Sequence, residues 1–167
     1  MIDFARRRLD GNLPVVFAHR YITRPLGKDL ENYIFLSPHE FALRQDRGLF
    51  AFDWEAHDYR YGVGVEVKSW LASGLVVVVN GSRAHFIGHR QELGDVVPVL
   101  VTAGRDELRR RLYARERENA ESIERRLDRA AEFMPTDQTL VTLDNSGQIE
   151  RAGEAFVALL SARAQAS

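Results

Sequence analysis

Apolar positions along the chain switch between helical and strand spacing. Positions 2–9 read as a short helix and 14–18 (PVVFA) as a strand. Positions 19–32, rich in charge, Gly and Pro, read as a loop. Ser37-Pro38-His39-Glu40 sets Ser at the N-cap, Pro at N1 and Glu at N3. That capping box opens a helix to about Asp46, stopped by Gly48. Phe50, Phe52 and Trp54 alternate with Ala51 and Asp53, a half-buried strand whose partner returns over 57–61. Gly62-Val63-Gly64 reads as the turn that closes this unit, and 65–73 as a helix ended by Gly74. Positions 75–79, apolar throughout and mostly β-branched, read as a strand buried on both faces of a parallel sheet. A helix over 84–92, a buried strand over 96–101, a strand over 140–143 and a helix over 149–164 follow the same logic. Between them, 105–134 is helical with an interruption near 115–119; Leu108, Leu112, Ile123, Leu127 and Ala130 hold the apolar spacing on either side. Strands alternating with helices predict an α/β fold with a parallel core sheet, plus a small antiparallel insert over 50–61.

Composition narrows the function. The 167 residues suit one domain with a core of its own. Lys plus Arg number 23 and Asp plus Glu 24, a formal charge of −1, so the chain has no basic excess for coating nucleic acid or an anionic membrane. Cysteine is absent, which excludes disulfides, thiolate metal sites and a cysteine nucleophile and fits a cytoplasmic location. No apolar run approaches the 18 or so residues of a membrane span, and the first residues lack a signal-peptide core. Only Lys28 and Lys68 are lysines; the other basic residues are arginine, the planar two-pronged phosphate binder.

In open α/β sheets ligands bind beyond the C-terminal ends of the strands. After the first strand stand His19, Arg20, Tyr21, Thr23 and Arg24; after the Val run, Asn80, Ser82 and Arg83; after Val101, Thr102 and the arginine-dense helices. Strand-end arginines converging on one pocket point to a substrate with phosphates or several carboxylates. On the helical stretch, acids such as Glu121 four residues before Arg125 equally suit a solvated face of ion pairs. His85 and His89, four apart, read as structural, because no second motif supports a metal there.

Jointly, HRYITRP, ENYIFLS, YGVGVEV, VNGSRAH and RERENAESIERRLDRA resemble the ribose 1,5-bisphosphate phosphokinases, guanylate-kinase-like enzymes of phosphonate metabolism. The resemblance covers nearly the whole chain and implies a P-loop kinase fold. It implies phosphorylation of ribose 1,5-bisphosphate, with ATP and Mg²⁺, to 5-phosphoribosyl 1-diphosphate. Residues 1–167 would then form one guanylate-kinase-like domain, with an acceptor-binding region over about 20–64 and a lid over about 105–134. By position, Thr23, Arg24, Tyr33 and Tyr61 match acceptor-side residues. Arg20 replaces a serine of that family, which suits a more highly charged acceptor. Arg111, Arg115 and Arg126 match lid arginines that close over the transferring phosphoryl, and Asn145 opens the adenine-side loop. Asn80, Ser82 and Arg83 are expected at the acceptor or on the Mg²⁺ side.

Two departures matter. Phe52 stands where guanylate kinases carry the glutamate that reads guanine, and Val63 where they carry a threonine, which argues against GMP as acceptor. No G-x-x-x-x-G-K-[DST] motif occurs in the sequence. The phosphate cradle and the central strand before it are therefore missing from these residues; the expectation is a start assigned at an internal methionine, or a short form impaired as an ATP-dependent kinase. The alternatives are a non-catalytic guanylate-kinase-like binding module and a nucleoside monophosphate kinase. The expected partner is a small molecule, not nucleic acid or membrane; the sequence is silent on oligomeric state.

Overall fold

A computed structural model describes residues 1–9, 11, 13–25, 33–56, 58–91, 95–114, 121, 123–124, 127–128 and 137–166. The chain divides into two compact units, one of Ile2–Gly81 with Val157–Ser167, the other of Met1 with Ser82–Phe156.

The first unit holds α1 (Ile2–Arg8), β1 (Val15–Phe17), β2 (Arg20–Ile22), β3 (Tyr33–Phe35), α2 (Pro38–Asp46), β4 (Phe50–Ala56), β5 (Tyr59–Gly64), α3 (Glu66–Ala72) and β6 (Val76–Val78). Its larger sheet has the order β3-β2-β5-β4. β2 runs parallel to β3, and β5 is antiparallel to both β2 and β4. β1 and β6 form a separate parallel pair, with Val15 opposite Val76. The core gathers Ala18, Val63 and Val67, with Phe52, Trp54, Trp70, Val77 and Val79 packed against them.

Several local expectations hold for local reasons. Ser37 Oγ accepts from Glu40 N at 3.1 Å and Pro38 opens α2. Gly48 and Gly74 end α2 and α3 at φ +65° and +78°, where a side chain would be strained. The capping box is only half made, because the Glu40 carboxylate reaches forward to Arg44 Nε at 2.7 Å.

Other expectations are corrected. Residues 19–32 are not all loop: Arg20–Ile22 is a strand, and it recruits Tyr33–Phe35 beside it. The insert is thus a mixed four-stranded sheet. Gly62-Val63-Gly64 is no turn; it is the buried end of β5, in register with Tyr21, Phe52 and Phe50. The Val run is half-buried rather than enclosed, since among the described residues β6 pairs with β1 alone. The expected parallel pairing is found: among the described residues it comprises β1–β6 and a second pair in the other unit.

That second unit holds α4 (Arg83–His89), β7 (Val99–Thr102), α5 (Arg105–Tyr113), β8 (Val141–Asp144) and the first half of α6 (Ile149–Ala166). β7 and β8 run parallel, Val99 opposite Val141. Glu121, Ile123, Glu124, Leu127 and Asp128 are helical. Leu112, Ile123 and Leu127 are buried on one another beside Leu108, as their spacing predicts; Ala130 lies outside the described residues. Burying each side chain contributes about 1.5–3 kcal/mol. Among the described residues no helix is long and apolar enough to cross a membrane.

Candidate functional site

In the first unit, register puts the acceptor-side candidates on one sheet face. Arg20 is paired with Tyr33 in the parallel ladder, and Ile22 with Tyr61 in the antiparallel one. Paired residues share a face, and Arg20 and Ile22 share one by alternation. Arg20, Tyr33 and Tyr61 therefore stand together. The Arg20 guanidinium lies 5.2 Å from the Tyr61 ring centre, and that of Arg24 lies 5.5 Å from the Tyr33 ring centre. A guanidinium over an aromatic face is held there by the ring quadrupole. The Tyr33 hydroxyl donates to Pro25 O at 3.2 Å. Thr23 acts structurally, clasping β5: its Oγ1 accepts from Arg60 N at 2.9 Å and its own N–H donates to Arg60 O.

Next to this face the sheet is closed by aromatic rings. Trp54 stacks on Tyr61 at 5.5 Å and 8°, and Phe52 on Trp54 at 6.1 Å. Phe52 is opposite the fully buried Val63 and packs into the core. No carboxylate or hydroxyl stands at positions 52 or 63 to read a base edge.

The second unit supplies a different environment. An open cavity of about 700 Å³ is lined by Glu107, Arg110, Arg111, Asn145, Gly147 and their neighbours. Arg111 Nε donates to Glu107 Oε1 at 2.6 Å and its Nη2 to Gly147 O at 3.2 Å, which ties α5 to the loop after β8. Arg110 grips the same carboxylate at 2.8 and 3.0 Å. The Arg110 guanidinium, and then that of Arg111, hold the Glu107 carboxyl below its usual range. The start of the loop is pinned twice: Asn145 N donates to Thr102 O at 2.7 Å, and Gly104 N to Ser146 Oγ at 2.8 Å. Asn145 Oδ1 is buried with no hydrogen-bond partner among the described residues.

Of the remaining candidates, Ser82 caps α4, its Oγ accepting from His85 N at 3.5 Å, while Arg83 is exposed and Asn80 half-buried. Arg115 and Arg126 lie outside the described residues. His85 and His89 stack at 4.3 Å, and among the described residues no three potential ligands cluster as a metal site. Sequence reasoning missed Glu66 and Glu107. The two glycines ahead of Glu66 were a signal, since glycine inside a strand marks a close approach; nothing in the spacing singled out Glu107.

Comparison with solved structures defines the class first. The chain superposes on the crystal structure of guanylate kinase from Anaplasma phagocytophilum with a TM-score of 0.67 at 20% identity, over 89% of this chain and 76% of that one. It has a guanylate-kinase fold. No family model matches the chain. The ribose 1,5-bisphosphate phosphokinase PhnN of Desulfomicrobium baculatum is 48% identical over 93% of this chain and 83% of its own length. That of Thiobacillus denitrificans is 42% identical over 96% and 85%, and that of Klebsiella pneumoniae 45% identical over 90% and 80%. The chain belongs to the ribose 1,5-bisphosphate phosphokinase family.

Proposed function

We propose that the chain phosphorylates ribose 1,5-bisphosphate to 5-phosphoribosyl 1-diphosphate, with ATP as donor and Mg²⁺ carried on its phosphates. The observation that carries this reading is the sheet face of Arg20, Tyr33 and Tyr61, with Arg24 over Tyr33, bordered by packed aromatics instead of a base reader. Two guanidinium–tyrosine pairs suit an acceptor with two phosphates and no nucleobase. Residues 20–64 form the acceptor region and 105–134 the lid of one guanylate-kinase-like domain.

The cavity of the second unit suits the nucleoside end of ATP. Its volume is adequate, Asn145 Oδ1, without a hydrogen-bond partner among the described residues, can accept from an exocyclic amine, and Arg111 stands beside it for the phosphates. Arg115 and Arg126 complete the cationic lid in this reading. Phosphoryl transfer is driven by positioning and charge stabilisation, and the metal neutralises charge on the transferring group. Asn80, Ser82 and Arg83 remain candidates for the acceptor or Mg²⁺ side. A cytoplasmic location goes with this reading, and the absence of cysteine supports it.

Calorimetric titration with ribose 1,5-bisphosphate tests the reading. Binding to the folded protein, lost in Arg24→Ala, is the expected result; a folded sample that binds GMP but not the sugar bisphosphate refutes it. One rival reading is a non-catalytic binding module. Capture of a phosphopeptide that Arg24→Ala leaves intact, together with no binding of the sugar bisphosphate, would establish that rival.

A further inference from the structure

The run Tyr61-Gly62-Val63-Gly64-Val65-Glu66 carries two glycines inside a strand, where glycine weakens the ladder. Each makes room for one side chain. A Cβ on Gly62 would lie 2.7 Å from the Phe50 ring, and one on Gly64 only 1.9 Å from Glu66 Oε2. Glu66, the first residue of α3, thus lays its carboxylate on the β5 backbone. Its other oxygen, Oε1, accepts from the Tyr21 hydroxyl at 3.3 Å and lies 3.5 Å from His19 Nε2. The His19 ring meets the Tyr21 ring edge-on at 5.0 Å, and the Arg44 guanidinium lies 5.2 Å from the Tyr21 ring centre. Burial, and then the Glu66 charge, push the Tyr21 phenol up, so it remains a donor at neutral pH.

His19 and Tyr21 are the two neighbours of Arg20 in the chain. Alternation sends the Tyr21 side chain, with the His19 ring against it, to one side of β2 and that of Arg20 to the other, where it meets Tyr61. We propose that Glu66 is a positioning residue for Arg20: seated over Gly64, it holds the Tyr21 hydroxyl, with the His19 ring packed against Tyr21, and so fixes the backbone from which Arg20 reaches an acceptor phosphate. The inference rests on the acceptor reading above. It gives work to three residues, His19, Tyr21 and Glu66, for which the proposed reaction otherwise has no use. None of them serves as a base, because the attacking group is a phosphate oxygen that is ionised at neutral pH.

The geometric half is read without substrate. In ¹⁵N-arginine spectra of the wild-type protein the Arg20 Nε–H carries a ring-current shift from Tyr61. Glu66→Ala abolishes that shift. Gly64→Ala, which keeps the carboxylate but displaces it, does the same. Glu66→Gln, which keeps an acceptor for Tyr21, retains part of it and serves if Glu66→Ala fails to fold. Glu55→Gln, an exposed partner of Arg60 in the same sheet, changes nothing. In calorimetry the Kd for ribose 1,5-bisphosphate rises about tenfold in Glu66→Ala and Gly64→Ala, within the roughly hundredfold that a 1 Å misplacement can cost. An unmoved Arg20 resonance in a folded Glu66 or Gly64 variant overturns the proposal. A lost shift in a protein whose wild type binds no sugar bisphosphate overturns the acceptor reading instead.

Discussion

Gly62→Ala tests how closely the four-stranded sheet is packed behind Tyr61. Gly62 is buried in β5, in register with Tyr21 and Asp53, and its φ is not positive, so alanine meets no backbone strain there. The obstacle is steric. The new Cβ would stand 2.7 Å from Phe50 Cδ1 and Cε1 and 3.1 Å from Cγ, where carbon pairs settle at about 3.5–4.0 Å. The ring must retreat by about 1 Å. Phe41, fully buried, has its ring centre 4.6 Å away, and Tyr21 closes a second side at 5.7 Å. Overpacking of this kind costs about 1–3 kcal/mol. The lower entropy of the unfolded alanine chain offsets about 0.4–1 kcal/mol. The net loss is about 1–2 kcal/mol, or about 2–8 °C in Tm for a chain of this size. Urea unfolding followed by Trp54 and Trp70 fluorescence should show a lower midpoint with an unchanged slope. Phe50→Leu in the Gly62→Ala background should cost less than in the wild type, with a coupling of at least about 0.5 kcal/mol. A Gly62→Ala protein as stable as the wild type, or strictly additive changes, would refute the packing argument.

Three further outcomes follow from single contacts. Asp137, bonded by the Thr139 hydroxyl and by Arg90, has its carboxyl lowered from the usual 3.8 to about 2; the folded value is the depressed one, so its contribution is complete above pH 3.8 and is lost as pH falls through about 2. The Tm difference between wild type and Asp137→Asn should be flat from pH 7 to 5 and shrink between 4 and 2, and a constant difference would count against the pairing. Ile123→Ala, at a side chain only 1% exposed, should cost about 2–5 kcal/mol and speed hydrogen exchange in α5 more than in β5; equal effects in both would show that the Leu112–Ile123–Leu127 cluster does not hold α5. Ser37→Ala should cost about 1 kcal/mol through the lost cap, while Glu40→Gln, whose carboxylate serves a surface pair with Arg44 instead of the box, should stay within about 0.5 kcal/mol in the same melts.

What was legible in the sequence is what neighbours in the chain decide. The α2 cap, the glycine stops at 48 and 74, and the Leu108–Leu112–Ile123–Leu127 spacing are all local, and all are found. β2 and β3 are three residues each, and Arg20-Tyr21-Ile22 sits in a charged stretch that no periodicity marks as a strand. β2 exists because Ile22 can pair with Tyr61, far along the chain. The glycines at 62 and 64 misled for a related reason: glycine marks a turn as readily as a close approach, and only the positions of Phe50 and Glu66 decide between them. The same holds for the site. Arg20, Arg24, Tyr33 and Tyr61 are candidates by motif, yet the common face of Arg20, Tyr33 and Tyr61 depends on two ladder registers that a motif does not carry.

The arginines of α5 show how structure sorts what composition pools. A helix dense in arginine and acid suits a solvated face of ion pairs or a phosphate clamp, and the ion pairs differ from one arginine to the next. Arg109 grips Glu124 with two nitrogens, at 2.9 and 3.2 Å, and reaches Asp106 at 3.3 Å. Arg105 bridges Glu124 and Asp128 at 3.2 and 2.8 Å. These two spend their donors on joining α5 to the helical residues Glu124 and Asp128, so their charge is neutralised where it stands. Arg110 and Arg111 share the single carboxylate of Glu107, which leaves that trio one positive charge in excess. That excess lies on the wall of the cavity that also offers a buried amide oxygen without a partner among the described residues. Acids three, four, fifteen, nineteen or twenty-three residues away thus decide which arginines are neutralised in place and which share one carboxylate.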